Sequence, residues 1–188
     1  MIEHKGMQIM SGLSILKGYS MLELGNQIMN LENVQDISAK EYLSKLFQIE
    51  HTSIDINGKD GALNYDLCKP FDLGKKFDIV TDFGTIEHTK KLYPVLKNVH
   101  NHCKVGGVMI HKNPKTGNFP EHGNHFFTVD FWKEYAKVTG CEVITIEEYA
   151  IYHNTIDGWE VIAVIRKKKD GFISEADFKP LLKHVYDK

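Results

Sequence analysis

Arginine is almost missing from this chain: of its 23 basic residues only Arg166 is one. The forked, bidentate donor that most often reads phosphates and base edges is therefore scarce. A net charge of −2 offers no basic field in its place. Nucleic acid is thus not expected as a partner, since non-specific binders need such a field. Cysteine is scarce too. Cys68, Cys103 and Cys141 form no Cys-x-x-Cys and cannot all pair, which fits a reducing compartment and leads us to expect a cytoplasmic protein. No Pro/Gly/Ser-rich linker or internal repeat divides the chain. No apolar run approaches the ~18 residues of a membrane-spanning helix. The opening Met1-Ile2-Glu3-His4 does not read as a signal peptide, so no membrane partner is expected.

What is present is a core-forming composition. With 188 residues, 42% apolar and 26% charged, the chain suits one domain that needs no disulfide or metal staple. Tyr19 to Leu24 reads as a short apolar strand ending at Gly25. After a long loop, Ser38 with Glu41 three residues on is a capping box, opening a helix whose Ala39, Leu43, Leu46 and Phe47 share one face. His51 to Ile56 reads as a second strand, and Ala62 to Tyr65 as a short third one. Phe77 to Phe83 is nearly all apolar, as a strand buried on both faces should be. Pro94 suits the first turn of a helix running to Cys103; Gly106-Gly107 breaks it, and Val108 to His111 is a further strand. Thr128 caps a helix that Gly140 stops. Cys141 to Ile146 and Trp159 to Arg166 are the last strands. Residues 147–158 between them contain the turn pair Asp157-Gly158 and no helical period, so these two strands are expected to pair antiparallel. The whole reads as a doubly wound α/β domain over residues 19–168. A helical segment (1–18) precedes it, and a helical tail (169–188) follows, a helix from Ser174 to Tyr186 capped by Ser174 with Asp177.

In such a sheet ligands lie beyond the carboxyl ends of the strands. The residues there are Glu23 to Gln27, Asp55 to Gly58, Asp66-Leu67, Asp82 to His88 and His111 to Pro114. Gly25 permits close backbone approach, and a carboxylate after the second strand can accept two hydrogen bonds from a ribose diol.

Met21-Leu22-Glu23-Leu24-Gly25, Ser53-Ile54-Asp55-Ile56, Tyr65-Asp66-Leu67, Phe77-Asp78-Ile79-Val80 and Ile86-Glu87-His88, taken in order and spacing, resemble the class I S-adenosylmethionine-dependent methyltransferases. The stretch from Leu96 to Ile110 and the run His125-Phe126-Phe127-Thr128 are similar to later parts of that family. The resemblance implies a Rossmann-like, seven-stranded, mostly parallel sheet with a C-terminal antiparallel hairpin. It implies S-adenosylmethionine as cofactor and a small-molecule acceptor. Glu23, Gly25, Asn26 and Gln27 would then face the methionine part, and Asp55 the ribose, with Ile56 against the adenine. Asp66 and the Leu67 backbone would read the adenine edge, while Asp82, Phe83 and Gly84 would border the reacting methyl group. The family's first motif usually carries three glycines; here Asn26-Gln27-Ile28-Met29 follows the single Gly25. That departure leaves a second reading open, a methyltransferase-like module that binds or scaffolds without catalysis.

Histidine is abundant, ten in all, with His111, His122 and His125 close together in the chain. Glu87-His88 resembles the pair that, in some O-methyltransferases, helps to hold a divalent metal. The earlier carboxylate of that set is replaced by Gly84, so no metal ligands are assigned and a metal is not favoured. Glu87, His88 and His125 are instead expected to act on the acceptor, His88 or His125 as a general base toward a hydroxyl. A metal-dependent hydrolase built on the histidine loop is a third reading. No Asn-Pro-Pro-aromatic tetrad follows the fourth strand, which favours oxygen over nitrogen as acceptor. A homo-oligomer is left open.

Overall fold

The computed structural model describes residues 1–13, 18–115, 122–153 and 156–187, the side chains of 151–153, 156, 157 and 187 excepted. In chain order the elements are β1 (Ile2–Glu3), α1 (His4–Gly12), β2 (Ser20–Leu24), β3 (Ile28–Leu31), β4 (Val34–Ser38), α2 (Ala39–Phe47), β5 (Glu50–Ile54) and β6 (Phe77–Phe83). They continue with α3 (Leu92–His102), β7 (Cys103–Pro114), β8 (His125–Phe127), α4 (Val129–Thr139), β9 (Glu142–His153), β10 (Ile156–Arg166), α5 (Glu175–Phe178) and β11 (Val185–Asp187).

The main sheet runs β5-β2-β6-β7-β10-β9. Its first four strands are parallel, and β10 lies antiparallel to both β7 and β9. Side chains alternate along a strand, and with a register shift between Phe77 and Ile79 the apolar run of β6 serves two layers at once. Phe77 and Val80 join Leu22, Met109, Leu96 and Trp132 on the side of α3 and α4. Ile79 and Phe83 join Met21, Ile110, Leu43 and Met10 on the side of α1 and α2. Two of the expected helix starts are capped as read: the hydroxyls of Ser38 and Thr128 accept from the amides of Glu41 and Phe131.

Four local expectations are corrected. The long loop before α2 is a hairpin, β3 antiparallel to β4, with β1 added parallel to β3. Its strands are short, and Ile28 and Ile37 are exposed, so its pattern is weak. Ala62 to Tyr65 forms no ladder; Leu63 makes a lone parallel bridge to Ile54. The main sheet therefore has six hydrogen-bonded strands among the described residues where seven were expected. The strand expected at Val108 begins at Cys103, before the glycines. Gly107 makes this passage sterically allowed, since a Cβ there would lie 2.9 Å from the Asp78 carbonyl oxygen. Finally, Asp157-Gly158 is not a turn: β9 and β10 stay paired as far as His153 and Ile156.

The segments at either end pack into the same two cores. Ile2 and Met10 lie with the α2 layer, and a Cβ at Gly6 would come within 2.9 Å of the Phe83 ring. Phe178 and Leu181 lie with Trp132 and Tyr135, and β11 pairs antiparallel with β8. The tail is not the single helix expected: α5 gives way at Pro180 to a short 3-10 helix, Lys179–His184, and the chain then extends as β11. No helix among the described residues is long and apolar enough to cross a membrane.

His100 on α3 is fully buried against the Phe172 ring, and neither ring nitrogen has a partner. Burial, with Lys167 adding to it, pushes its pKa from 6.5 down to about 4. The folded chain holds this imidazole neutral where the unfolded chain protonates it, so stability declines as pH falls from the ordinary histidine range toward that value. The loss is at most roughly 3 kcal/mol. Urea unfolding at about pH 7 and pH 4.5 should show this decline, and His100→Phe should remove much of it. An unchanged pH dependence in His100→Phe would mean that other groups set the acid limit.

Candidate functional site

A cleft of about 510 Å³ opens beyond the carboxyl ends of β2, β5 and β6. Gly25 turns the chain out of β2 with φ +76 and donates its amide to the Ile54 carbonyl at 2.8 Å. A Cβ at Gly25 would lie 2.5 Å from Thr85 Oγ1 and 2.6 Å from Gln27 Nε2. The close approach that this glycine allows is thus taken up by two side chains of the protein itself. Gln27 Nε2 donates to Thr85 Oγ1 (3.0 Å) and to the Leu24 carbonyl (3.3 Å), and Gln27 Oε1 accepts from the Met1 amino group.

Of the residues expected at a cofactor, Gly25, Asn26, Gln27, Asp55, Ile56, Asp66, Leu67 and Gly84 line this cleft, and His88 stands in its wall. Asp55 is less free than a residue reserved for a ligand: Oδ2 accepts from the Asn26 amide and Oδ1 from the Asn57 amide, each at 2.9 Å. It ties the loop after β2 to the end of β5. Asp66 turns its own chain by accepting from the Cys68 amide, and Asn98 Nδ2 donates to the Leu67 carbonyl.

Glu23, Asp82 and Phe83 lie elsewhere. Phe83 is core. Glu23 is fully buried beneath the loop, where Oε2 accepts from the Gln27 amide at 3.1 Å and stands 3.6 Å from His51 Nε2. Burial raises its pKa, opposed by His51. Asp82 is also fully buried. Its Oδ1 accepts from the amides of Thr85 and Ile86, and its Oδ2 from Asn113 Nδ2 at 2.9 Å with His111 Nδ1 at 3.1 Å. The His111 ring stacks on Trp132, centroids 4.3 Å apart. Asn113 Nδ2 also donates to Glu87 Oε2 at 3.2 Å, so one amide bridges two buried carboxylates. Thr85 and Asn113 do this work without any motif that marks them; the sequence signal is only their position just past β6 and at the end of β7.

Glu87, His88 and His122 are brought together, with one potential ligand atom from each inside a span of 4.8 Å. Glu87 Oε1 is 3.8 Å from His88 Nε2 and from His122 Nε2. The second segment is clasped onto the first: the Asn124 amide donates to the Glu87 carbonyl, and Asn124 Nδ2 to those of His88 and Thr89. Gly123 is needed at this clasp, having φ +72 and room for a Cβ only 3.0 Å from the Glu87 carbonyl oxygen. His125 is not in this group. It borders a second cleft, between α3 and the C-terminal segment.

No protein-family model matches the chain, and no curated protein matches it in sequence. Solved structures do match in shape. One is the 1,6-didemethyltoxoflavin-N1-methyltransferase of Burkholderia thailandensis with bound S-adenosylhomocysteine (TM-score 0.60, 11% identity, 87% of this chain and 76% of that one). A second is a methyltransferase-like protein of Bacillus halodurans (0.60, 11%, 86% and 98%). A third is the cyclase SpnF (0.64, 11%, 87% and 79%). The chain has the class I methyltransferase fold, a mixed α/β architecture on a mostly parallel sheet.

Removing the amide that bridges Asp82 and Glu87 leaves both acids short of a donor in the interior. Asn113→Ala should therefore lower unfolding free energy by about 1–3 kcal/mol, read from urea unfolding near neutral pH. A loss near zero would show that these two acids do not depend on Asn113.

Proposed function

We propose that this chain is an S-adenosylmethionine-dependent methyltransferase for a small molecule, with the cofactor in the cleft beyond β2, β5 and β6. The observation that carries this reading is the alignment of Gly25, Asp55 and Asp66 around that cleft, on the fold shared with methyltransferases. The same fold serves a cyclase, so fold alone does not fix the reaction.

The nucleoside end of the cleft fits such a cofactor. Each Asp55 oxygen accepts a single backbone amide and keeps a lone pair for a ribose hydroxyl. Leu67 and Ile54 offer an apolar wall to a purine. The methionine end fits once the Gln27 side chain swings away from Gly25. Gln27 Nε2, the end of a flexible side chain, occupies that space together with the Thr85 hydroxyl, which donates to the Leu24 carbonyl at 2.8 Å. When bound, the cofactor supplies an electrophilic methyl group on sulfur. The protein then has chiefly to hold an acceptor close and aligned. His88, half-exposed at the cleft wall, is placed to accept a proton from an acceptor hydroxyl. Oxygen as the acceptor rests on that histidine and on the missing Asn-Pro-Pro-aromatic tetrad.

A second reading of the acceptor side is favoured by one observation, the convergence of Glu87, His88 and His122. Two imidazoles facing one buried carboxylate oxygen make a donor set suited to a divalent cation, with Glu87 as its charged member. Manganese or zinc should then bind at one equivalent in calorimetry, and His122→Ala should abolish that heat. Binding that survives His122→Ala would place the ion elsewhere.

S-adenosylhomocysteine should bind the intact chain and raise its melting temperature by mass action. Asp55→Ala should weaken that binding by about 1.5–3 kcal/mol and also lower the melting temperature without ligand, because Asn26 and Asn57 lose their acceptor. Gln27→Gly should tighten binding by clearing the methionine end. Absence of heat or stabilisation at millimolar ligand, in both the parent and Gln27→Gly, would leave the non-catalytic module as the better account.

A further inference from the structure

A second cleft, of about 420 Å³, lies beside the first, and Lys90 lines both. Its volume falls within the roughly 300–1,000 Å³ usual for small-molecule sites. Leu92, Tyr93 and Pro94 form one wall at the start of α3, and Phe178, Leu182 and Val185 form the other. The second wall is held in place: β11 pairs with β8, and Thr128 Oγ1 donates to the His184 carbonyl. Phe178 is rooted in the core, while Leu182 is 42% exposed, so an apolar surface is left open inside a fixed frame.

The rim of this cleft is cationic. Lys90, Lys91 and Lys179 are exposed, and among the described residues none of their ammonium groups has an ion-pair or hydrogen-bond partner. Among the described residues Glu175 is the sole acid lining the cleft, so their net charge there is positive. Apolar walls under a cationic rim discriminate by charge complementarity at the entrance and by apolar burial within.

We propose that this second cleft is the acceptor site, and that it takes a small organic anion, a carboxylate or phosphate ester on an apolar body. The body packs against Tyr93, Phe178 and Leu182, the first two rings standing edge to face with centroids 5.4 Å apart, and the anion lies at the lysine rim. Lys90 stands where the two clefts meet, and His125 stands in the wall. That this ligand is the methyl acceptor rests on the methyltransferase reading; that the cleft selects an anion does not.

The test titrates the intact chain with benzoate, phenyl phosphate and benzamide, followed by protein NMR, and with S-adenosylhomocysteine separately. Benzoate or phenyl phosphate should bind about tenfold more tightly than benzamide, and the tighter of the two identifies the anion. The double variant Lys90→Met, Lys179→Met should lose that preference at an unchanged melting temperature, and Leu182→Glu should weaken all three probes. Equal binding of benzamide, or a preference that survives the double variant, overturns the anion site. Selective anion binding without S-adenosylhomocysteine binding keeps the anion site and removes the methyl-transfer reading. S-adenosylhomocysteine binding without anion selectivity does the reverse.

Discussion

A carboxylate with no exposure to water must be paired within the protein, because the interior repays its lost hydration only through good hydrogen bonds. Asp82 meets that demand at the carboxyl end of β6. Two of its donors are the amides of Thr85 and Ile86, which fixes how the chain leaves the strand. Another is Asn113 on β7, which reaches on to Glu87. The direction of the segment that carries Glu87 and His88 is thus set from below by one buried acid. Changes at Asp82 would alter the site while touching none of its surface.

Above that anchor, the walls of the two clefts are held by backbone as much as by side chains. Asn124 grips three successive carbonyls from Glu87 to Thr89, and Asp55 grips the loop at Asn26. Segments distant in sequence are locked with few residues. The loop after β2 differs in kind. There the Ala39 amide donates to the Gln27 carbonyl, so α2 starts beside the cleft even though the β3–β4 hairpin is interposed. Gln27 ends up packed over Gly25, both a part of the scaffold and an occupant of the space a ligand would need.

Much of the architecture was legible because it depends on local pattern. The two-sided apolar run of β6, the caps at Ser38 and Thr128 and the stop at Gly140 are written in adjacent residues. The β3–β4 hairpin was not, since strands this short with exposed Ile28 and Ile37 have little periodicity to show. Nor could the sequence show that Leu63 would make one bridge and no ladder. At the site, residue type and position marked Gly25, Asp55, Asp66 and His88 as members of one cleft. What stayed hidden was how many lone pairs each acid had already committed. Glu23 and Asp82 look like ligand-facing acids from their place after a strand, yet both are buried: Asp82 commits both oxygens to the chain's own donors, and Glu23 commits Oε2 to the Gln27 amide. Burial and occupancy are properties of the assembled fold, as is the meeting of His122 with Glu87 across 35 residues of chain, residue 87 to residue 122.

The long hairpin of β9 and β10 leaves β9 at the edge of the main sheet. An edge strand offers a row of unused backbone donors and acceptors, and a long flat one invites a foreign strand to join it. Here the invitation is blunted by charge. Glu142, Glu147 and Glu148 stud the strand, and each is paired with a lysine from a different part of the surface: Lys168, Lys5 and Lys115. Any strand approaching this edge must displace ion pairs and strip water from acids before gaining its first ladder bond. Those glutamates guard the edge against foreign strands, and their neutralisation in acid would remove that guard and favour self-association.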